Sequence, residues 1–237
     1  MRAVRDLWHR RHGGRFDYHG ATIELPPHQD RFARRMLRDG TYEAAEAQLV
    51  LRHLPADRPV IEFGGSLGIV SALVRTRLQA DVAQVVVEAN PDVFATMEAN
   101  IRRQPGGAGT EIVHAALAYG TETVTFTVSD NVHASSLDGR RTGREVTVPV
   151  VTLAECLDRL KASGVTLIAD VEGAEIDLLL NERDALRRID LALVEIHEDA
   201  LAARGYDAAW FVERMRAAGL DEVDRCEATL AFARRTG

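Results

Sequence analysis

Hydrophobic positions along residues 60–90 follow two different spacings. Residues 60–63 form a short apolar run that stops at Gly64 and Gly65, and residues 85–87 form a second run. This pattern predicts a strand, a glycine turn, a helix and a second strand. Such a unit places the turn at the carboxyl edge of the sheet, where open α/β folds bind ligands. The apolar residues between the runs recur at helical spacing: Leu67, Ile69, Val70, Leu73, Val74 and Leu78.

The glycine turn discriminates between two classes of cofactor. A dinucleotide fingerprint, G-x-G-x-x-G, starting at Gly64 requires glycine two and five positions later, and the chain has it at neither. Instead Glu62 ends the strand, and Gly68 lies where the helix must pack closely. Glu88 ends the second strand and is placed to accept hydrogen bonds from a ribose diol. The set favours an adenosine ligand with a small zwitterionic tail, such as S-adenosylmethionine, over a nicotinamide dinucleotide.

Residues 1–58 precede this unit and form a small appendage. Residues 16–25 are expected to make a hairpin that turns at His19 and Gly20, and two short helices with apolar faces follow. An appendage of this size is too small to be stable alone. We therefore expect it to pack on the main domain, residues 59–237, and to cover its cofactor edge.

Strand and helix patterns alternate along residues 59–237. Apolar runs at 111–114, 165–171, 191–196, 220–223 and 229–232 predict further strands, with Asn90, Thr152 and Asp207 as helix N-caps between them. Apolar residues between Ile176 and Leu186, including Leu180, predict one further helix. The succession predicts an α/β fold with a mostly parallel sheet and helices on both faces. Two alternating segments, 121–128 and 145–150, predict an antiparallel pair joined by a polar loop.

Composition excludes several function classes. A net charge of -7 argues against general affinity for nucleic acid. No apolar run approaches the roughly 20 residues that span a bilayer, so we expect no membrane segment, no secretory signal and a cytoplasmic protein. Cys156 and Cys226 lie far apart, and we expect neither a disulfide nor a metal site from them. The oligomeric state stays open, with a homodimer as one option.

Polar residues follow the predicted strands at the cofactor edge. Asp170, Glu172 and His197 are candidate catalytic residues, because a positioned base helps a hydroxyl group lose its proton. Glu195 is a candidate acceptor contact. These four residues could alternatively converge on Mg²⁺ or Mn²⁺. Sequence provides no spacing rule that would identify such a site, so a divalent metal is not favoured and its ligands stay unassigned.

Two further segments contribute candidate binding residues. Ala115 and Ala116 follow a predicted strand and are small enough for an adenine ring to lie against the backbone, although they could equally pack under the sheet. The polar loop at 129–143 contains His133, Ser135 and Ser136, which we expect to contact the acceptor. A loop this long is usually a binding loop or mobile.

The chain resembles the FkbM family of S-adenosylmethionine-dependent methyltransferases from about residue 40 to residue 197. The most specific shared motif is A-D-V-E-G-A-E at 169–175. The other shared motifs are G-T-Y-E at 40–43, V-I-E-F-G-G-S-L-G at 60–68, V-V-V-E-A-N-P at 85–91, H-A-A-L at 114–117, S-S-L at 135–137 and V-P-V-V-T-L at 148–153.

The resemblance implies the class I methyltransferase fold, a Rossmann-like sheet of seven strands whose last strand is antiparallel. Asp170 and Glu172 correspond to the family's acidic motif beside the cofactor, and Glu88 to its ribose-binding acid. Members mostly methylate hydroxyl groups of sugars, polyketides and other natural products. The family's first motif is usually D-x-G-A-N-x-G, whereas this chain has Glu62, Gly65 and Ser66 at the first, fourth and fifth positions of that motif. The positions expected to contact the cofactor are Tyr42, Glu62, Gly64, Gly65, Ser66, Gly68, Glu88, Ala89, Ala115, Ala116 and Asp170.

The main hypothesis is therefore O-methylation of a small-molecule acceptor, as in natural-product biosynthesis. Alternatives are N-methylation, a non-catalytic module that binds an adenosine ligand and regulates a partner, and an NAD-linked oxidoreductase. The missing glycine register disfavours the oxidoreductase. The carboxylates expected at the cofactor edge argue against the regulatory module.

Overall fold

The computed structural model describes residues 14–26, 31–128 and 144–235. The first half contains β1 (Arg15–Tyr18), β2 (Ala21–Glu24), α1 (Arg31–Asp39), α2 (Ala44–His53), β3 (Val60–Phe63), α3 (Ile69–Arg77), β4 (Gln84–Glu88), α4 (Pro91–Arg102), a 3-10 turn (Gly107–Gly109), β5 (Glu111–His114), β6 (Ala116–Leu117) and β7 (Thr123–Val128). The second half contains β8 (Arg144–Val151), α5 (Leu153–Leu160), β9 (Val165–Ala169), α6 (Glu175–Asn181), α7 (Arg183–Leu186), β10 (Ile189–Glu195), α8 (Glu198–Ala203), α9 (Ala208–Ala217), β11 (Leu220–Cys226) and β12 (Thr229–Arg234).

A seven-stranded sheet with the order β11-β12-β10-β9-β3-β4-β5 organises the fold. Strands β10, β9, β3, β4 and β5 are parallel, and β12 is antiparallel to both of its neighbours. This confirms the predicted class I arrangement with its antiparallel last strand. The chain winds from β3 to one side through β4 and β5, and later to the other side through β9 and β10. The strand order therefore reverses between β3 and β9, where α/β folds bind ligands.

The central strands are buried along their whole length and mostly apolar, because helices cover both faces of the sheet. Every residue of β3, β4 and β9 is buried. Leu157 and Phe211 belong to the core on one face, and Leu49 and Leu73 belong to the core on the other. Cys156 is buried in the first core, and both cysteines are free thiols.

The amino-terminal hairpin has the predicted turn, with left-handed backbone at His19 and Gly20. Its inward residues, including Tyr18, share the core that contains α2 and α3. Asn100 of α4 accepts a hydrogen bond from the amide of Glu24 at 2.8 Å, and the Tyr18 hydroxyl donates to the Tyr42 carbonyl. The hairpin and the segment before α2 thus pack against the sheet domain through apolar contacts and hydrogen bonds.

The predicted helix caps are confirmed. The Asn90 side chain accepts from the amide of Asp92 at 2.9 Å, and the Asp207 side chain accepts from Trp210 at 2.7 Å. Thr152 and Glu155 form the expected capping box at the start of α5. These caps follow local rules, which is why the sequence predicts them well.

One predicted helix differs from the structure, and one strand was not predicted. The helix expected between Ile176 and Leu186 is two helices, because Glu182 leaves helical geometry and accepts a hydrogen bond from the amide of Ala154 in α5 at 3.1 Å. Leu180, one of the apolar residues that predict this helix, is 44% exposed. Strand β6 was not predicted. It pairs in parallel with β8, which also pairs antiparallel with β7 as expected.

None of the helices in the described part of the chain is long and apolar enough to cross a membrane.

Candidate functional site

A cleft opens at the carboxyl ends of β3, β4, β9 and β10. Its volume is about 1190 Å³, including the part of its mouth that is open to solvent. The predicted site residues found in its wall are Tyr42, Gly64, Gly65, Ser66, Glu88, Ala89, Ala115, Ala116, Asp170, Glu172, Glu195 and His197. Predicted residues that are not in the wall are Glu62 and Gly68. The predicted acceptor contacts His133, Ser135 and Ser136 lie outside the described residues.

The glycine turn lets the backbone of β3 approach its neighbours closely. Gly64 has a left-handed φ of 95°, and a Cβ atom there would lie 1.9 Å from the carbonyl oxygen of Asp170. A Cβ atom at Gly68 would lie 2.7 Å from the backbone oxygen of Met97 in α4. Gly64 is therefore required where β3 meets β9. Gly68 allows α3 to pack closely against α4, as expected. It does not line the cleft.

Glu88 is held in the cleft wall by two backbone amides. Ser66 donates to Oε2 at 2.7 Å, and Asn90 donates to Oε1 at 2.6 Å. Burial raises the pKa of Glu88, whereas hydrogen bonds from the amides of Asn90, Ser66 and Ala89 oppose the rise. Each carboxylate oxygen keeps a further lone pair, so the group can accept hydrogen bonds from a diol in the cleft.

Glu62 lies apart from the cleft, contrary to its expected role as a direct cofactor contact. Its side chain is 2% exposed, and its Oε1 accepts a hydrogen bond from the Ser71 hydroxyl of α3 at 2.6 Å. Successive side chains of a strand point to opposite faces of the sheet, and Glu62 points to the face covered by α3. Burial raises its pKa to about 7. The geometry thus assigns Glu62 to the contact between β3 and α3.

His197 lies among three acids at the other end of the cleft. Its Nε2 is 3.5 Å from Asp170 Oδ1 and 3.9 Å from Glu172 Oε2, and its Nδ1 is 3.4 Å from Glu175 Oε1. Glu175 also accepts hydrogen bonds from the amides of Val171 and Gly173 at 2.7 and 2.8 Å. These amides fix Glu175 on the Nδ1 side of the imidazole ring, while Nε2 faces Asp170.

The acids make His197 strongly basic. Burial disfavours the charged imidazolium, but the nearby carboxylate of Glu175, with the charges of Asp170 and Glu172, raises the pKa of His197 to about 9. Burial and the neighbouring charge of Glu195 raise the pKa of Asp170, although His197 opposes the rise. The cluster can therefore hold a proton near neutral pH and release it as the pH rises.

Sequence reasoning missed three site residues. Glu175 is the last acid of the shared 169–175 motif, and that position was the available indication of its role. Glu43 and Glu46, at the start of α2, line the cleft. Burial, with the charges of Glu195 and Glu172, raises the pKa of Glu43 to about 7. Glu43 ends the shared motif at 40–43, which was the available indication of its role, whereas the sequence around Glu46 shows only an amphipathic helix.

The fold is a Rossmann-like α/β domain with an acid-lined cleft at its switch point, the place where such folds bind ligands. The family model described as "Methyltransferase FkbM domain" matches residues 63–221. Because the match covers more than half of the chain, the protein belongs to the FkbM methyltransferase family. It is an enzyme that uses S-adenosylmethionine as methyl donor.

Several solved structures are similar in part. The CcbJ methyltransferase from Streptomyces caelestis is 15% identical, with 80% of this chain and 94% of that chain covered and a TM-score of 0.42. Fibrillarin from Aeropyrum pernix, crystallised with bound S-adenosyl-L-methionine, is 13% identical, with 79% and 73% covered and a TM-score of 0.47. A protein of the NADB-Rossmann superfamily from Streptococcus agalactiae is 10% identical, with 81% and 68% covered and a TM-score of 0.47. No curated protein sequence matches the chain.

The charges of the cleft fit this cofactor. Carboxylates from four places line it, namely the start of α2, β4, the turn after β9 and β10, and no Lys or Arg is found among its described lining residues. A dinucleotide would place an anionic pyrophosphate among these acids, which is unfavourable. S-adenosylmethionine carries a sulfonium and an ammonium group, both cationic. The lining therefore suits S-adenosylmethionine on electrostatic grounds that are independent of the glycine pattern.

Proposed function

We propose that the protein transfers a methyl group to a hydroxyl oxygen of a small-molecule acceptor, such as a sugar or another natural product. The supporting observation is that a nucleoside-binding acid and an acid-imidazole cluster line one cleft. Glu88 on β4 lies at one end of the cleft, and His197 after β10 lies at the other end. A cofactor bound at the first end would reach towards a proton acceptor at the second.

The cofactor-binding end uses groups that the geometry makes available. Glu88 would accept hydrogen bonds from the ribose hydroxyls, and the small side chains of Ala115 and Ala116 leave room for the adenine ring. Gly65 and Ser66 present backbone to the amino-acid tail. S-adenosylmethionine supplies a methyl group activated by the positive sulfur. The remaining work of the protein is to position the acceptor and to accept its proton.

The opposite end provides the base. A hydroxyl group is a weak nucleophile until its proton leaves, and a positioned base contributes roughly 10²- to 10⁴-fold to the rate. His197 is the base in this proposal, because Glu175 fixes its ring from the Nδ1 side. Asp170 lies next to Nε2 and would accept or share the same proton.

The appendage would select the acceptor. We propose that residues 1–58 act as a lid over residues 59–237, because Tyr42 and Glu43 line the cleft from the appendage side. The loop that contains His133, Ser135 and Ser136 is proposed to complete the acceptor site. We also propose that the protein acts in the cytoplasm, in natural-product biosynthesis.

N-methylation of an amine is the second candidate. It is favoured by one observation, the acidic lining, because carboxylates attract a protonated amine. The imidazole of His197, fixed by Glu175, favours the hydroxyl acceptor instead, since an oxygen nucleophile needs a base.

Two measurements test the proposal. Isothermal titration calorimetry with S-adenosylhomocysteine should show one binding site per chain, and no binding would reject the proposal. Radiolabelled S-adenosylmethionine, offered with a panel of sugars, phenols, hydroxy acids and amines, should label hydroxyl acceptors, with mass spectrometry locating the methyl group on oxygen. Label found only on nitrogen supports the second candidate. Cofactor binding without any transfer across the panel supports the non-catalytic module.

A further inference from the structure

Three carboxylates meet at the end of the cleft that is remote from Glu88. One oxygen atom from each of Glu43, Asp170 and Glu195 can be chosen so that all three atoms lie within 4.8 Å of one another. Glu43 begins α2, Asp170 directly follows β9, and Glu195 ends β10. The three acids therefore come from separate elements that converge at the carboxyl edge.

Strand register brings two of these acids side by side. Val194 of β10 pairs with Ala169 of β9, so the next residues along the two parallel strands are Glu195 and Asp170. Like charges in neighbouring positions of a sheet are destabilising. A cation bound between the two carboxylates would relieve this repulsion.

A fourth acid, Glu46, points to the same conclusion independently. It is 7% exposed and lines the cleft, and Asp170, Glu43 and Glu195 are among the charges that act on it. Within the described chain, no hydrogen bond or ion pair to the Glu46 carboxylate is found. Asp170 Oδ1 is itself buried with no hydrogen-bond partner among the described residues, and such an atom costs free energy unless a ligand satisfies it.

The protein supplies little positive charge here. His197 is the one basic residue among the described lining residues, and it already lies between Asp170, Glu172 and Glu175. The cofactor is a distinct source of charge, and its ribose end is placed by Glu88. Two strands separate β4 from β10, so the two ends of the cleft are roughly 14 Å apart along the sheet.

We propose that Glu43, Asp170 and Glu195 bind a divalent cation of the Mg²⁺ or Mn²⁺ type at the acceptor end of the cleft. Carboxylate oxygens are the ligands these hard cations prefer, at about 2.1 Å. In octahedral coordination at this distance, neighbouring ligand oxygens lie about 3.0 Å apart and opposite ones about 4.2 Å apart, so the three carboxylates would move closer together when the ion binds. The role of the ion rests on the proposed function: it would bind the acceptor hydroxyl and lower its pKa.

Mn²⁺ alone is the probe for this site. Protein stripped of metal with a chelator is titrated with Mn²⁺, and electron paramagnetic resonance measures the free ion. We expect one bound Mn²⁺ per chain, displaced by Mg²⁺. Glu43→Gln and Glu195→Gln should each weaken binding at least tenfold. Glu111→Gln is the matched control, because Glu111 starts β5 at the opposite edge and pairs with Arg159, and it should leave binding unchanged.

Two results would overturn the metal site: absence of Mn²⁺ binding both with and without S-adenosylhomocysteine, or binding that neither cleft variant weakens. Thermal unfolding of each variant shows whether it is folded, and calorimetry with S-adenosylhomocysteine on the same samples separates the two proposals. Cofactor binding without Mn²⁺ binding removes the metal site alone. Mn²⁺ binding without cofactor binding supports the metal site and removes the proposed function.

Discussion

Glu62 provides a quantitative test of the site geometry. It is buried on β3, and burial raises its pKa from 4.5 to about 7, although the hydrogen bond from Ser71 favours the charged form. The unfolded chain ionises near 4.5, so the folded protein loses stability as the pH rises from 4.5 through about 7. Each pH unit in this interval is worth about 1.4 kcal/mol. Ionisation of Glu62 should therefore cost on the order of 3 kcal/mol at pH 8.

Glu62→Gln removes this cost while keeping the size of the side chain and the acceptor for Ser71. Urea denaturation of both proteins at pH 5 and pH 8 measures the effect. The stability of the variant relative to the wild type should increase by about 2 to 3 kcal/mol between the two pH values. Any fixed cost of burying the amide is the same at both values and cancels.

A second readout from the same variant tests its distance from the cleft. Because Glu62 is not in the cleft wall, S-adenosylhomocysteine should bind Glu62→Gln as tightly as it binds the wild type. Stability differences that do not change with pH would refute the assigned burial. Loss of cofactor binding in a folded variant would refute the assigned position and restore Glu62 as a direct contact.

Three further predictions follow from the cleft. Glu88→Gln should weaken S-adenosylhomocysteine binding at least tenfold by calorimetry, since hydrogen bonds to a charged group contribute about 1.5–3 kcal/mol; unchanged affinity would contradict the ribose contact. Gly20→Ala should cost only about 1–2 kcal/mol of backbone strain, because its φ is 92° with open space around it. Gly64→Ala should cost several kcal/mol more, through the clash with Asp170; equal costs in urea denaturation would contradict the close approach. With His197 as base, kcat should rise with pH towards about 9, and Glu175→Gln should move the inflection to lower pH by removing the charge that raises the pKa of His197. An identical profile for the variant would exclude this role of Glu175.

The sheet and its caps could be predicted because the relevant physics is local. Continuous apolar runs such as β9 are typical of strands covered on both faces, and Asn90 followed by proline is a strong helix start. The turn at Gly64 was predicted from chain order alone. Its close contact with Asp170 is a consequence of parallel strands that end at the same edge.

The face of the sheet to which the Glu62 side chain points could not be predicted, because it depends on contacts that are not local in sequence. In a strand buried on both faces, alternation of polar and apolar residues disappears, so the sequence does not indicate which face a single acid occupies. The same limit applies to Glu182, whose hydrogen bond to Ala154 interrupts a helix through a contact between distant segments. Glu43 and Glu46 reach the cleft only through the packing of the appendage, which no local pattern reports.

The central claim is that one cleft holds the nucleoside at Glu88 and presents the methyl group to the cluster around His197. A crystal structure with S-adenosylhomocysteine bound tests it most directly. The account predicts ribose hydroxyls within hydrogen-bond distance of the Glu88 carboxylate, adenine against Ala115 and Ala116, and the sulfur facing Asp170 and His197. A nucleoside bound elsewhere, or a sulfur directed away from that cluster, would contradict it.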